Sequence, residues 1–138
     1  MSAVHRSIGN VMLLLQRPAD GRVLTVPRQA TSWRSPRMLT VVKGRREDGE
    51  FLYEGAAREL GEEVGIHISP DHLRFCRLLH IYAADGERVI GAAFTAREWE
   101  GVPYNREPGA HTELVWVGRA GIGRRVIRGP SQPCAGHR

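Results

Sequence analysis

The sequence predicts an α+β domain in which one helix packs on a mixed β-sheet. Two observations point there. Apolar residues recur at helical spacing in the stretch that ends at Val64, and short β-type runs flank it, punctuated by the turn pairs Asp20-Gly21 and Asp85-Gly86. A chain of 138 residues is also the size of a single domain with its own core.

The elements follow in order. Residues 10–15 form an apolar run, 18–22 carry Asp20 and Gly21, and 23–26 are again strand-like, so the first thirty residues read as a hairpin. Residues 34–37 read as loop, and 38–42 as a strand that delivers the chain into Gly44. Asp48 and Gly49 mark a loop before the helix, whose apolar face is Tyr53, Ala56, Ala57, Leu60 and Val64. Gly65 stands where a left-handed cap ends a helix. Residues 73–82 and 88–94 are β-type runs around Asp85-Gly86, a hairpin signal, and 113–117 add a further strand. Repeats and low-complexity segments are absent from the sequence.

Composition excludes several classes. No apolar run approaches the roughly 20 residues of a membrane span, and the N-terminus lacks a signal-peptide pattern, so a soluble cytoplasmic protein is expected, with no membrane partner. Cys76 and Cys134 have neither metal-ligand nor redox spacing, and no disulfide framework is expected. The formal charge is +5, unevenly spread: five arginines and no acid lie in residues 119–138, and 1–118 hold fifteen basic and fifteen acidic side chains. We therefore read 1–118 as the folded domain and 119–138 as a basic, Gly/Arg/Pro-rich flexible tail. Short tails of this kind are more often solubilising than nucleic-acid binding, so no nucleic-acid partner is expected; a homodimer is left open.

The chemistry is concentrated in residues 44–66, GRREDGEFLYEGAARELGEEVGI. At about 100° per residue, Glu62 lies near −60° and Glu63 near +40° of Glu59, so the three carboxylates share one stripe. Like charges on adjacent turns repel, and a chain that gathers them needs a compensating cation. Oxygen-only ligands select hard divalent ions such as Mg²⁺, which binds through a few carboxylates together with substrate phosphates. Arg58, four residues before Glu62, can orient that carboxylate and offset part of the repulsion.

The spacing Gly-x5-Glu-x7-Arg-Glu-aliphatic-x-Glu-Glu-x-Gly-aliphatic, carried by Gly44, Glu50, Arg58, Glu59, Glu62, Glu63, Gly65 and Ile66, resembles the signature of the Nudix hydrolases. Chance agreement at its seven single-residue positions is on the order of one in a hundred million. The resemblance implies an α/β/α sandwich with the box on a catalytic helix, and a Mg²⁺-dependent pyrophosphohydrolase acting on a nucleoside diphosphate linked to another moiety, with Mn²⁺ as a substitute. By that resemblance Glu59, Glu62 and Glu63 hold metal, Arg58 orients them, Glu50 braces loop and helix, and Lys43 ligates through its backbone carbonyl beside Gly44 at the phosphates. The stretch Trp99-Glu100-Gly101-Val102-Pro103-Tyr104-Asn105-Arg106-Glu107 is similar to one in MutT-type members. It implies that Glu107 is a fourth carboxylate at the metal and that the substrate is a nucleoside triphosphate, including an oxidised one, cut to monophosphate and pyrophosphate. Arg28, at the end of the second strand, falls where such members contact the nucleotide.

The chain departs from the pattern at Val42-Lys43, where glycine or serine commonly follows a proline, and after Trp116, where GRAGIGRRVIRGPSQPCAGHR replaces the closing helix that helps form the base pocket. Lys43-Gly44 and Tyr82 suggest dinucleoside polyphosphates as a second substrate class, and ADP-ribose is a third. A non-catalytic nucleotide-binding domain is the reading of a different class, motivated by the tail alone.

Overall fold

The computed structural model describes residues 3–4, 6–27, 39–82, 86–108 and 113–118. Its elements are β1 (Ile8–Leu15), β2 (Val23–Pro27), β3 (Leu39–Thr40), β4 (Val42–Arg45), α1 (Leu52–Val64), a 3₁₀ turn at Pro70–His72, β5 (Arg74–Tyr82), β6 (Arg88–Ala96) and β7 (Val115–Val117). Two sheets form, one in the order β4-β1-β6-β5 and one in the order β3-β2-β7. The larger is mixed: β1 runs parallel to β6 and antiparallel to β4, and β5 pairs antiparallel with β6. The α+β class is as predicted. The tail and the position of a closing helix lie outside the described residues.

The alternation of β1 builds the core. Val11, Leu13 and Leu15 are fully buried while Asn10, Met12 and Leu14 are half-buried, the period of two that a strand with one core face requires. β1 pairs Val11 with Ala92 and Leu13 with Phe94, which extends the apolar face across the sheet, and α1 lies over β4 and β1 through Ala56, Leu60 and Val64. β2 is buried at four successive positions, as expected of a strand covered on both faces.

Three local expectations are corrected. The predicted hairpin of the first thirty residues keeps its turn but not its ladder. Gly21 takes φ 68°, its N–H reaches the Arg17 carbonyl at 2.8 Å, and Asp20 accepts the Arg22 N–H, yet among the described residues β1 and β2 form no ladder, and an isolated bridge, Gln16–Val23, lies just beyond β1. Both edges of β1 are taken by β4 and β6, so β2 pairs instead with β3 and β7. The strand expected over 38–42 is two strands, because the chain changes sheets at Val41, and the second continues through Gly44 to Arg45; Met38 lies outside the described residues. On α1, Tyr53 is 43% exposed and Leu52 packs on the core in its place. The β5–β6 hairpin, the left-handed cap at Gly65 with φ 68°, and the β7 strand agree with the sequence reading.

Candidate active site

The acidic residues sit where β4 passes under α1. Gly44 pairs with Val11 in the sheet, and a Cβ at Gly44 would overlap the Glu59 carboxylate, so only glycine lets the helix bring that group onto the strand. Glu59 and Glu63 are 8% and 9% exposed. The sequence placed the carboxylates opposite the apolar face; in the structure they border it and share its burial. The wheel explains the difference, since the apolar face centres near 100° and Glu63 lies at about 40°, inside its margin.

Arg58 ties the cluster together. Its Nε donates to Glu50 Oε2 at 3.1 Å and its Nη2 to Glu50 Oε1 at 2.9 Å, a two-pronged contact that fixes the plane of the guanidinium. Nη1 donates to Glu59 Oε1 and to Glu62 Oε2, both at 3.0 Å, and Nη2 also reaches the Arg45 carbonyl at 2.9 Å. Glu50 in turn accepts the Glu47 backbone N–H at 2.6 Å, and Arg46 donates to the Glu50 carbonyl at 2.9 Å. Strand end, loop and helix are thereby joined through one side chain. The Arg58 guanidinium holds the Glu50 carboxyl below its usual range and is itself raised by Glu50, Glu62 and Glu59.

The two buried carboxyls differ. Burial raises Glu59, and Arg58 opposes that rise. Glu63 is pushed up to about 8 by burial and then by the charges of Glu59 and Glu107, against which the Lys43 backbone N–H and ammonium give partial relief. Glu107 therefore acts on both.

A loop delivers Glu107. The Tyr104 N–H donates to the Val64 carbonyl at 3.0 Å, the Arg106 N–H to the Glu63 carbonyl at 3.1 Å, and the Arg106 side chain to the Gly61 carbonyl at 2.9 Å. These bonds satisfy carbonyls that the end of a helix leaves open. Asn105 Oδ1 accepts the Glu107 N–H at 3.1 Å, which orients the last residue of the loop. Gly65 makes the approach possible, because a Cβ there would overlap the Tyr104 ring.

The structure thus brings together Lys43, Gly44, Glu50, Arg58, Glu59, Glu62, Glu63 and Glu107. Arg28 lies outside the described residues. Tyr82 ends β5, at the sheet edge opposite β4. Sequence reasoning missed Arg106 and the Arg45 carbonyl, for which no local signal exists, and Tyr104, whose role is legible only once Gly65 is known to face it.

The donor set is all oxygen and suits a hard divalent cation. Among the described residues no three His, Cys, Asp or Glu side chains converge on one ready-made cation position. Arg58 holds Glu59 and Glu62 on its own Nη1. A cation held by these carboxylates would have to compete with the guanidinium for them. Among the described residues no helix is long and apolar enough to cross a membrane.

Comparison with known proteins agrees with the fold. The model of the NUDIX domain family matches residues 6–128. Similar solved structures include a MutT NUDIX hydrolase from Burkholderia pseudomallei, with TM-score 0.72 and 21% identity over 89% of this chain and 100% of that one. The MutT protein from Methanosarcina mazei Go1 gives 0.67 and 23% over 84% and 80%. A bifunctional NMN adenylyltransferase/ADP ribose pyrophosphatase from Francisella tularensis, complexed with AMP and a Mn ion, gives 0.65 and 17% over 89% of this chain and 37% of that one. No curated protein matches the chain significantly.

Proposed function

The chain belongs to the Nudix family and is a Nudix hydrolase acting on nucleoside diphosphate derivatives, and from that premise we propose that it is a Mg²⁺-dependent pyrophosphohydrolase that cuts a nucleoside triphosphate to monophosphate and pyrophosphate. The observation that carries this reading is the close approach of the Glu59 carboxylate to Gly44, braced by Arg58 and faced by a loop that delivers Glu107. That delivery also favours a MutT-type substrate over the other Nudix classes.

Glu59, Glu62, Glu63 and Glu107, with the Lys43 carbonyl, would hold the metal. These residues would place Mg²⁺ where it would supply charge neutralisation for phosphate oxygens and activation of water, which phosphoanhydride hydrolysis needs. Arg58 keeps Glu59 and Glu62 on one side of the helix, and Glu50 keeps Arg58 aimed. Glu107 adds a ligand or accepts the water proton from outside the helix. The backbone around Gly44 would lie beside the phosphates, and Arg28, which follows β2 in the sequence, would contact the nucleotide.

A turnover screen with Mg²⁺ and the products resolved tests the reading against its rivals. Nucleoside triphosphates, oxidised ones among them, should yield monophosphate and pyrophosphate. Turnover confined to ADP-ribose or to dinucleoside polyphosphates would move the substrate to those classes, and no turnover with Mg²⁺ or Mn²⁺ would favour a nucleotide-binding domain. For the dinucleoside class, Tyr82 offers little support, being 71% exposed and at the far sheet edge.

A further inference from the structure

The last turn of α1 carries Glu62 and Glu63 and no basic residue. Acids there face the negative end of the helix dipole, and such an end favours a cation. Arg106 brings one from outside the helix: its Nη1 donates to the Gly61 carbonyl at 2.9 Å. The same oxygen accepts the Gly65 N–H at 3.2 Å, so the bond that closes the helix and the bond that docks the arginine share one acceptor.

Arg106 has a second hold. Its backbone N–H donates to the Glu63 carbonyl at 3.1 Å, so its main chain and side chain grip carbonyls on either side of Glu62 in the sequence. The loop before it runs back along the helix end. Glu100 and His67 exchange two backbone bonds, at 2.9 and 3.1 Å, and the Tyr104 N–H meets the Val64 carbonyl at 3.0 Å, so loop positions 100, 104 and 106 meet 67, 64 and 63 in descending order. Arg106 comes last in this series, directly before Glu107, whose own N–H stays inside the loop on Asn105 Oδ1. The charge of Glu107 reaches Glu59 and Glu63, so the seat of the loop decides where that charge acts.

We infer that Arg106 is a positioning residue of the candidate active site: its side chain fixes Glu107 against the last turn of α1, so that the loop carboxylate and the helix carboxylates serve as one ligand set. The inference rests on the proposed metal role of Glu107. The hydrogen bonds of Arg106 given above go to carbonyls, so it acts on the set through the loop and not by pairing with an acid. Its side chain can be removed cleanly, because the residue is exposed and the backbone N–H survives every substitution but proline. Charge and position also predict opposite signs. Taking a cation away from a metal site strengthens binding of the ion by Coulomb's law, whereas loosening Glu107 weakens it.

Mn²⁺ binding to the full chain without substrate, followed by the electron paramagnetic resonance signal of the free ion, tests this in Arg106→Leu, Arg106→Lys, Glu107→Gln and the double variant Arg106→Leu/Glu107→Gln. Turnover, circular dichroism and thermal midpoints are measured on the same preparations. Arg106→Leu is expected to weaken Mn²⁺ binding and lower kcat about tenfold, the usual size of effect for a group that orients a ligand, with the dichroism unchanged. Arg106→Lys should recover most of the loss. In the Glu107→Gln background Arg106→Leu should add little, since the carboxylate it positions is gone. Unchanged or tighter Mn²⁺ binding in Arg106→Leu, whatever its thermal midpoint, would overturn the inference and leave Arg106 as a helix cap alone. An equal loss in the Glu107→Gln background would overturn it too, while the role of Glu107 stood. Should Glu107→Gln bind Mn²⁺ as the unaltered protein does, the reading of Glu107 fails and the inference falls with it.

Discussion

Arg58 is the side chain on which the acidic cluster turns, and its fork geometry matters as much as its charge. Lysine at this position would keep the charge but could not grip both Glu50 oxygens while also reaching Glu59 and Glu62. Arg58→Lys is expected to cost about 2 kcal/mol, the value for a buried pair discounted for partial exposure, and to lower turnover well beyond that loss. Denaturant midpoints and initial rates on the same preparation separate the two effects. Glu63 gives a second outcome. Its folded pKa is raised from 4.5 to about 8, so between those values the native state binds more protons than the unfolded chain. Stability of the metal-free protein should therefore fall as pH rises through that window and level off above it. Urea midpoints at its two ends would show the slope, and Glu63→Gln should flatten it. The identities of these residues were legible because the spacing of Gly44, Glu50, Arg58 and the glutamates is itself the signal. Their environments were not: the Lys43 N–H that relieves Glu63 and the arginine at 106 that docks the loop act across the fold, where spacing carries no information.

Among the elements, the end of α1 shows most plainly how backbone choices position a site. Gly65 and Gly49 both have positive φ, at 68° and 79°, but a Cβ at Gly65 would overlap the Tyr104 ring whereas one at Gly49 would meet nothing. Alanine at either pays a backbone cost of about 1 kcal/mol. Gly65→Ala must in addition push away the loop that carries Glu107. It should destabilise more than Gly49→Ala in thermal unfolding and should lose activity that Gly49→Ala keeps; equal effects would show that the docking of Tyr104 is incidental. Helix and cap were readable from period and glycine placement. The hairpin of the first thirty residues was read as a ladder because turn and strand signals are local, whereas the choice of partner was made by β6, some eighty residues away. For the same reason 38–42 looked like one strand: nothing in its composition marks Val41 as the point where the chain leaves one sheet for the other.

For the whole molecule, the sheet order β4-β1-β6-β5 puts the acidic cluster under α1 at the β4 edge, with β5 at the other edge among the described residues. The α+β class followed from a single helix among strands. The mixed sheet's parallel β1–β6 pairing has no local signature and came only from the structure. The central claim is that the carboxylates gathered over Gly44 make a metal-dependent phosphoanhydride hydrolase. Its most direct test is Mg²⁺-dependent hydrolysis of a nucleoside triphosphate by the full chain beside Glu59→Gln and Glu63→Gln, with products resolved and folding followed by circular dichroism. The account predicts monophosphate and pyrophosphate only when Mg²⁺ is present, and a loss of about 10²–10³ in rate for each variant with the fold retained. Undiminished turnover in both variants, or turnover that ignores the metal, would contradict it.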